Sequence, residues 1–198
     1  DGVVPTYKAV ISKINQPIPL GYSNVGVVEK VGKSVEGFKV GDRVVCNGPH
    51  AEFVVVGQNL CCKIPDSVSD DAALFTVIGS IAMQSVRLAN PTIGEKFAVI
   101  GLGLVGLLVV QILRASGCQV LALDLQNDRL EIARNYGASV ARVSEDFDAE
   151  TVGRAFSGGE GMDGVIIAAA TNSNRPIHDA ATMSRKKGRV VLVGVAGL

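Results

Sequence analysis

The sequence has no tryptophan and only two histidines among its 198 residues. It also has no excess charge of either sign, since 19 lysines and arginines balance 19 aspartates and glutamates. Without a net field, the chain has no general attraction for nucleic acid or for an anionic membrane surface. The basic cluster at residues 185–189 follows a helical pattern, and we interpret it as a solvated helix end. These absences predict a protein that binds neither nucleic acid nor a membrane.

The cysteines show neither a CxxC motif nor a Cys/His spacing typical of a metal site; they are Cys46, Cys61, Cys62 and Cys118. We interpret these cysteines as reduced thiols. Since no secretory signal begins the sequence, reduced thiols predict a cytoplasmic protein. One uncharged run, residues 97–113, has the minimum length for a membrane span but contains three glycines. Strands and helices alternate after it, which favours a buried segment of a globular fold.

Short β-branched runs separated by turn residues characterise residues 21–65. Runs such as VGVVEKVG, GDRVVC, AEFVVV and LCCKIP alternate with glycines, which predicts a compact antiparallel barrel or meander. Residues 69–90 are apolar at helical spacing and predict one connecting helix, with Ser69 or Asp70 as its cap. Asn90-Pro91 would end that helix.

Apolar runs and helical stretches alternate over residues 91–198. The predicted strands are KFAVIG, QVLALD, SVARV, GVIIAAA and GRVVLVG, and the helix before the last strand covers residues 175–187. Continuous Val, Ile and Leu strands with intervening helices are typical of a parallel sheet covered on both faces. The predicted fold class is therefore α/β, with a doubly wound parallel Rossmann sheet in this part of the chain.

The first of these strands leads into a glycine-rich motif that opens the next predicted helix. GxGxxG alone is a weak signal, but a strand before it and a helix after it are the context of a dinucleotide site. There the first glycine permits a tight turn, the second lets the backbone approach a pyrophosphate, and the third lets helix and strand pack closely. The alternative interpretation of the motif is a glycine-rich turn in an α/β domain that binds no nucleotide. We predict that the cofactor binds Gly101, Leu102, Gly103, Leu104, Val105 and Gly106.

Asp124 ends the next predicted strand, about 20 residues beyond the loop, where such sites carry an acidic residue. Its carboxylate would accept hydrogen bonds from the adenosine ribose and would repel a 2′-phosphate. Leu125 supplies no compensating cation, and Arg129 could reach the ribose edge without reversing the preference. The sequence therefore predicts NAD(H) rather than NADP(H).

A β-rich domain followed by such a sheet resembles the medium-chain dehydrogenase/reductase superfamily, the alcohol-dehydrogenase-like proteins. The matching stretches are PLGYSNVGVVEKVGKSVEGFKVGDRVV, HAEFVVV, KIPDSVSDDAALF and GEKFAVIGLGLVGLLVVQ. The resemblance implies that residues 1–68 are a partial GroES-like domain and that five of six Rossmann strands are present. It also implies that the chain is an excerpt of a longer enzyme that forms a homo-oligomer.

A narrower similarity lies in the opening stretch, DGVVPTYKAVISKINQPIPLGYSNVG. It is similar to the dehydrogenase-like half of bi-domain bacterial oxidoreductases. That similarity implies a second oxidoreductase domain fused after this chain, and a sugar derivative as the substrate.

The sequence departs from zinc-binding members of the superfamily at their metal ligands. Those members have Gly-His-Glu where this chain has Gly21-Tyr22-Ser23, and Thr76 stands near the position of their later cysteine ligand. In those members a lobe with four cysteines for structural zinc follows the segment that corresponds to GDRVV, and this sequence has no such lobe there. Because zinc needs three or four N, S or O ligands at fixed positions, we expect no catalytic zinc and assign no metal ligand.

The resemblance implies hydride transfer between a nicotinamide and an alcohol, a carbonyl or an activated alkene. Gly194 and Val195 match the segment whose backbone usually meets the nicotinamide amide. Ala170 and Thr171 end the neighbouring strand at the same edge, where ligands bind open α/β sheets. Ordinary strand ends are the alternative for these four residues.

Without zinc, Tyr22 is the candidate proton donor, and Ser23 and Thr76 would position it or a water. The alternative is that Tyr22 packs against the protein and forms a hydrogen bond with the backbone. We interpret His50 as a residue that forms a loop-to-strand hydrogen bond.

Two functions remain open. One is an NAD(H)-dependent dehydrogenase or reductase acting on a small molecule, and the other is a non-catalytic dinucleotide-binding sensor or scaffold.

Overall fold

A computed structural model describes residues 21–197 of the protein. The chain divides into two compact units, with the boundary between Val77 and Ile78. Most of the opening stretch that carries the narrower resemblance lies outside the described residues. The functional domain boundaries after residues 68 and 90 stay predictions.

The first unit is built on a three-stranded antiparallel sheet. Its strands are β1 (Asn24–Val27), β2 (Arg43–Cys46) and β3 (Cys61–Lys63), paired in that order. A short 3-10 turn, Gln58–Leu60, leads into β3. This arrangement is the predicted meander. The prediction of a strand over residues 51–56 is wrong, because this segment is irregular and its Val54 and Val56 side chains lie against Gly48 instead.

The predicted connecting helix is two helices, α1 (Asp70–Ala73) and α2 (Thr76–Ala89). The Ser69 hydroxyl caps α1, as predicted, and accepts a hydrogen bond of 3.2 Å from the Ala72 N–H. The prediction of one continuous helix is wrong at residues 74–75. There the Leu74 carbonyl accepts a hydrogen bond of 2.7 Å from the Ser23 hydroxyl, so a contact from outside the helix stabilises the break.

The second unit carries a five-stranded sheet in which all neighbours pair in parallel. Its strands are β4 (Lys96–Ile100), β5 (Gln119–Asp124), β6 (Ser139–Arg142), β7 (Met162–Ile167) and β8 (Ser184–Leu192). Their spatial order is β6-β5-β4-β7-β8. Parallel strands need crossovers, which are α3 (Leu104–Ala115), α4 (Asn127–Asn135), α5 (Ala149–Ser157) and α6 (Arg175–Met183). The predicted α/β class with a parallel sheet is confirmed.

The sheet is buried on both faces because alternate residues of its central strand point in opposite directions. Phe97 and Val99 pack in the cluster that includes α3. Ala98 and Ile100 pack in the cluster that includes α5 and α6. Over residues 21–197, no helix is long and apolar enough to cross a bilayer.

The helix predicted over residues 175–187 ends earlier, at Met183, and β8 begins at the next residue. Lys187 has a left-handed backbone with φ 64°, and the β7–β8 pairing shifts register in this region. Arg185 donates a hydrogen bond of 2.6 Å from Nε to Oδ1 of Asp163, which holds the segment in the sheet. Tertiary bonds thus outweigh the helical propensity of this basic run.

Candidate functional site

The glycine-rich turn connects the end of β4 to the beginning of α3. Gly101 has φ 91°, a conformation that L residues rarely adopt, and a Cβ there would lie 2.6 Å from the Ala169 nitrogen. A Cβ at Gly106 would overlap the carbonyl oxygen of Gly101. The first and third glycines are therefore required by the packing of the turn itself.

Gly103 differs from the other two glycines because the space beside it is open. It is the N-cap of α3, and a Cβ built on it would have no neighbour within 4 Å. The helix has 12 residues and no acidic residue in its first turn. The N–H groups at its beginning have no intrahelical acceptor and lie at the positive end of the helix dipole. This combination fits the pyrophosphate of a dinucleotide.

The remaining predicted loop residues differ in exposure. Leu102 is fully buried in the core cluster beside α3, Leu104 is half exposed, and Val105 packs against the same cluster. The Leu102 and Val105 side chains therefore hold the turn on the sheet, and only the backbone groups of these three residues are suited to bind a phosphate.

Asp124, at the end of β5, bonds directly to this turn. Its Oδ2 accepts a hydrogen bond of 2.6 Å from the Leu102 N–H, and its Oδ1 accepts one of 2.9 Å from the Gln126 N–H. The side chain is only 7% exposed. A carboxylate offers about four lone-pair sites, so two backbone bonds leave capacity for ribose hydroxyls. The sequence motif predicts the carboxylate but not its bond to Leu102.

Arg129 lies beside this carboxylate, and Arg142 is next to Asp124 in the register of the sheet. Nη1 of Arg129 is 3.7 Å from Oδ2 of Asp124. Arg142 is the Cα partner of Asp124 in the β5–β6 pair, and its Nε donates a hydrogen bond of 3.3 Å to the Leu125 carbonyl. Sequence reasoning singled out Arg129 but missed Arg142, because only the pairing of β5 with β6 brings Arg142 to this position.

The ends of β7 and β8 reach the same turn. The Ala169 backbone lies between two glycines, since a Cβ on Gly194 would lie 2.8 Å from its carbonyl carbon and Gly101 lies on its other side. The Thr171 N–H donates a hydrogen bond of 2.8 Å to the Val195 carbonyl. One edge therefore carries all four strand-end residues that are predicted to bind the cofactor, Ala170, Thr171, Gly194 and Val195. Their contact with a cofactor stays a prediction.

The predicted catalytic residues Tyr22, Ser23 and Thr76 lie in the first unit. Tyr22 is 49% exposed. The Ser23 hydroxyl donates to the Leu74 carbonyl, just before Thr76 begins α2. Ser23 and Thr76 are thus both at the break between α1 and α2, and the catalytic role of all three residues stays a prediction.

His50 lies against the glycine that precedes Tyr22. Its N–H donates a hydrogen bond of 3.3 Å to the Gly21 carbonyl, and a Cβ on Gly21 would overlap the imidazole ring. This backbone bond joins two loop residues, whereas the sequence predicts a loop-to-strand bond, and the position of the ring over Gly21 was missed. No spacing in the sequence signals it, because the two residues meet only through the folded loops. An exposed imidazole here is a further candidate for proton transfer.

The part of the chain that the structure describes contains no group of three or more His, Cys, Asp and Glu side chains that could hold a metal ion. At the turn where the resemblance places zinc ligands, the side chains are a phenol and an alcohol, and the Ser23 hydroxyl is bonded to Leu74. Protein zinc sites use imidazole, thiolate and carboxylate. The donor set of this turn therefore does not fit zinc.

Two protein families match the chain. The alcohol dehydrogenase GroES-like domain matches residues 3–79, and the zinc-binding dehydrogenase family matches residues 105–198. A curated relative, a probable D-xylulose reductase A of Neosartorya fischeri, is 31% identical over 219 aligned positions, which cover 92% of this chain and 60% of the relative. The chain thus spans about 60% of the length of the curated relatives that it first matches.

Solved structures are similar as well. The 2R,3R-butanediol dehydrogenase of Bacillus subtilis has a TM-score of 0.78 and 27% identity, covering 87% of this chain and 57% of that one. A mycobacterial protein, Rv1454c, complexed with NADPH, has a TM-score of 0.79 and 25% identity, covering 98% of this chain and 62% of that one. The two family matches, the curated relative and the butanediol dehydrogenase structure are all named as dehydrogenases or reductases.

Proposed function

We propose a function from one premise: the chain belongs to the medium-chain dehydrogenase/reductase superfamily, as a zinc-type alcohol-dehydrogenase-like protein. The proposed function is that of an NAD(H)-dependent oxidoreductase that transfers hydride to or from a small alcohol, a carbonyl compound or an activated alkene. The observation that carries it is the 2.6 Å bond between the Leu102 N–H and Asp124. This bond joins Asp124, which is suited to accept hydrogen bonds from the ribose, to the turn that leads into α3, where the helix beginning is suited to bind the pyrophosphate.

The residues of the second unit would hold the dinucleotide at the carboxyl edge of the sheet. The N–H groups at the beginning of α3 bind the pyrophosphate in the open space beside Gly103. Asp124 accepts hydrogen bonds from the adenosine ribose, and Gly194 and Val195 offer backbone groups to the nicotinamide. When bound, the nicotinamide supplies the hydride donor or acceptor.

The preference for NAD(H) rests on the charge of Asp124. A buried carboxylate held by two backbone N–H groups cannot turn away from a 2′-phosphate, so the two negative groups would repel each other. Arg129 and Arg142 offset part of that repulsion. The structure of Rv1454c contains NADPH, so the preference has to be measured with both cofactors.

We also propose that catalysis does not use zinc. Tyr22 would donate a hydrogen bond or a proton to the developing alkoxide, with Ser23 and Thr76 to position it or a water. The support is the donor set of the Gly21-Tyr22-Ser23 turn, where the resemblance places imidazole and carboxylate in zinc-binding members.

The substrate we propose is a small polyol, ketone or sugar derivative. A relative named as a D-xylulose reductase and a structure named as a butanediol dehydrogenase support a substrate of this class. The full-length protein is proposed to be a cytoplasmic homo-oligomer with a second oxidoreductase domain fused to it. A cofactor sensor or scaffold would use the same turn and Asp124, but would show no turnover.

Binding is tested by titrating NADH and NADPH into the full-length protein and following nicotinamide fluorescence. Asp124→Ala should weaken NADH binding about tenfold or more, since a charge-assisted bond is lost. Asp128→Ala is the matched control, because Asp128 is exposed on the first turn of α4. Equal NADH affinity in the Asp124 variant and the wild type would remove the proposed cofactor site.

Turnover is tested with a panel of polyols and ketones. Tyr22→Phe should lower kcat about 10²- to 10⁴-fold and leave NADH affinity unchanged. Full activity of this variant would remove Tyr22 from the mechanism, and NADH binding without any turnover would favour the sensor. Stoichiometric zinc together with activity lost on chelation would overturn the zinc-independent mechanism.

A further inference from the structure

We propose that Cys46 and Cys61 form a reversible thiol pair that can close a disulfide between β2 and β3. The two residues are Cα partners in the antiparallel pairing of these strands. Residues directly opposite each other in such a pair point to the same face of the sheet. Both are free thiols in the structure. The inference does not depend on the proposed enzymatic function.

The backbone hydrogen bonds of the two strands set the separation of the pair. The Ile64 N–H donates to the Arg43 carbonyl at 3.0 Å, and the Asn47 N–H donates to the Leu60 carbonyl at 2.9 Å. Hydrogen-bonded and non-hydrogen-bonded partners alternate along an antiparallel ladder, so the two cysteines form a non-hydrogen-bonded pair. Such partners have Cα atoms about 4.5 Å apart, inside the range of about 4.4–6.8 Å found in disulfides.

Cys62 is adjacent to Cys61 but is a partner of Val45 instead. Val45 packs in the core of the first unit, on the face opposite to that of its neighbour Cys46. The geometry of the sheet therefore selects Cys61 over Cys62 as the partner of Cys46.

The two thiols differ in access to solvent. Cys46 is 5% exposed, and its Sγ lies 3.4 Å from the place where a Cβ of Gly48 would stand. Cys61 is half-buried. Cys61 is thus the thiol that an external oxidant reaches, and Cys46 is the thiol that resolves the intermediate. Burial raises the pKa of both thiols, and the neighbouring Cys46 and Cys62 raise the pKa of Cys61 further, so exchange is slow.

The oxidant is a small disulfide such as oxidised glutathione. The Cys61 thiolate attacks one sulfur of that disulfide, which forms a mixed disulfide and releases one glutathione thiolate. The Cys46 thiolate then attacks Sγ of Cys61, which closes the protein disulfide and releases the second glutathione. The protein loses two electrons and two protons, and the small disulfide is reduced to two thiols.

Formation of the disulfide would restrain β2, the strand that pairs with β1 directly after the Gly21-Tyr22-Ser23 turn. Cys46 is also the Cα partner of Asn24, the first residue of β1, on its other side. A link from Cys46 to Cys61 therefore joins β2 to β3 at the end of the sheet where the turn enters β1.

The test uses the 198-residue chain in glutathione buffers of increasing oxidised fraction, followed by alkylation under denaturing conditions and cleavage at Glu52, which lies between the two cysteines. In Cys62→Ser protein, excess oxidised glutathione should lower the intact mass, measured before alkylation, by about 2 Da, the mass of two hydrogens. The fragments on either side of Glu52 should stay joined until they are reduced. Cys61→Ser is the matched control, in which Cys62 remains but the fragments should separate.

Three results would overturn the proposal. The first is separation of the fragments of oxidised Cys62→Ser protein. The second is equal joining in Cys61→Ser protein, which would show that strand register does not select the partner. The third is a mass decrease of about 2 Da in the wild type without joined fragments, which would show that its disulfide does not connect Cys46 to Cys61.

Discussion

At Gly103 the backbone has φ −67°, and open space surrounds the place of a side chain. At Gly101 φ is 91°, and the Ala169 nitrogen would lie 2.6 Å from a Cβ. The two positions have the same residue type for different reasons, one for ligand access and the other for backbone geometry. The same substitution at each position therefore separates binding from folding.

Gly103→Ala should keep wild-type stability and weaken NADH binding about tenfold or more, because its methyl group enters the space proposed for the pyrophosphate. Gly101→Ala should lower the free energy of unfolding by about 1–3 kcal/mol, since it combines a left-handed backbone with a close contact. Urea unfolding and NADH titration measure the two effects. Wild-type binding by Gly103→Ala would place the phosphates elsewhere.

Asp124→Asn should lower the free energy of unfolding by about 1–3 kcal/mol, because the amide turns one donor toward a backbone N–H. It should also raise the affinity for NADPH relative to NADH, since it removes a negative charge and leaves Arg129 and Arg142 in place. Titration with both cofactors measures the ratio, and Asp128→Asn is the control. An unchanged ratio would show that Asp124 does not face the ribose.

At the scale of elements, β4, β7 and β8 are joined at their amino ends through one carboxylate. Asp163 accepts hydrogen bonds of 2.8 Å from the Lys96 N–H and 2.6 Å from Nε of Arg185. Burial raises the pKa of Asp163, but these two bonds and the positive charges of Arg185 and Arg189 together outweigh burial, and its pKa lies below its ordinary value. The ionised group therefore stabilises the contact of three strands.

Because the folded pKa of Asp163 is lowered, its contribution is fully present above its unfolded pKa, about 3.9, and is lost as pH falls through the folded pKa. Asp163→Asn should lower the free energy of unfolding at neutral pH by about 1–3 kcal/mol, and this difference from the wild type should shrink in acid. Urea unfolding across the acid range checks this. The exposed Asp146→Asn is the control. A difference that does not change with pH would rule out the ionised form as its source.

At the scale of the whole molecule, β8 ends the order of the parallel sheet among the described residues and has β7 as its partner. The second half of β8 exposes the apolar side chains of Val190 at 47% and Leu192 at 51%, and Val195 beyond the strand is 54% exposed. An exposed apolar strand edge favours pairing with another chain.

We expect the 198-residue chain to associate as its concentration rises, and Leu192→Lys to shift it toward the monomer. Size-exclusion chromatography with light scattering measures this. Leu125→Lys is the control, since Leu125 is 65% exposed and lies at the end of β5 instead. Equal association of the two variants would contradict a role for the β8 edge.

Strands and helices around the glycine-rich turn are predictable because their signals are local. β5 matches its predicted bounds, and Gly101, Gly106 and Asp124 lie where a motif within one stretch of chain places them. The predictions that failed depend on distant partners. The Ser23–Leu74 bond stabilises the break between α1 and α2, and the Arg185–Asp163 bond holds the end of the predicted helix in β8.

The sequence by itself determined the parallel sheet, the dinucleotide turn and its acidic partner, since periodicity and glycine spacing are properties of neighbouring residues. Only the tertiary structure decided which side chains surround those features. Arg142 lies beside Asp124, and Cys46 lies opposite Cys61, through strand register. His50 lies over Gly21 through loop packing. Strand register and loop packing join residues far apart in the chain, and no local pattern encodes them.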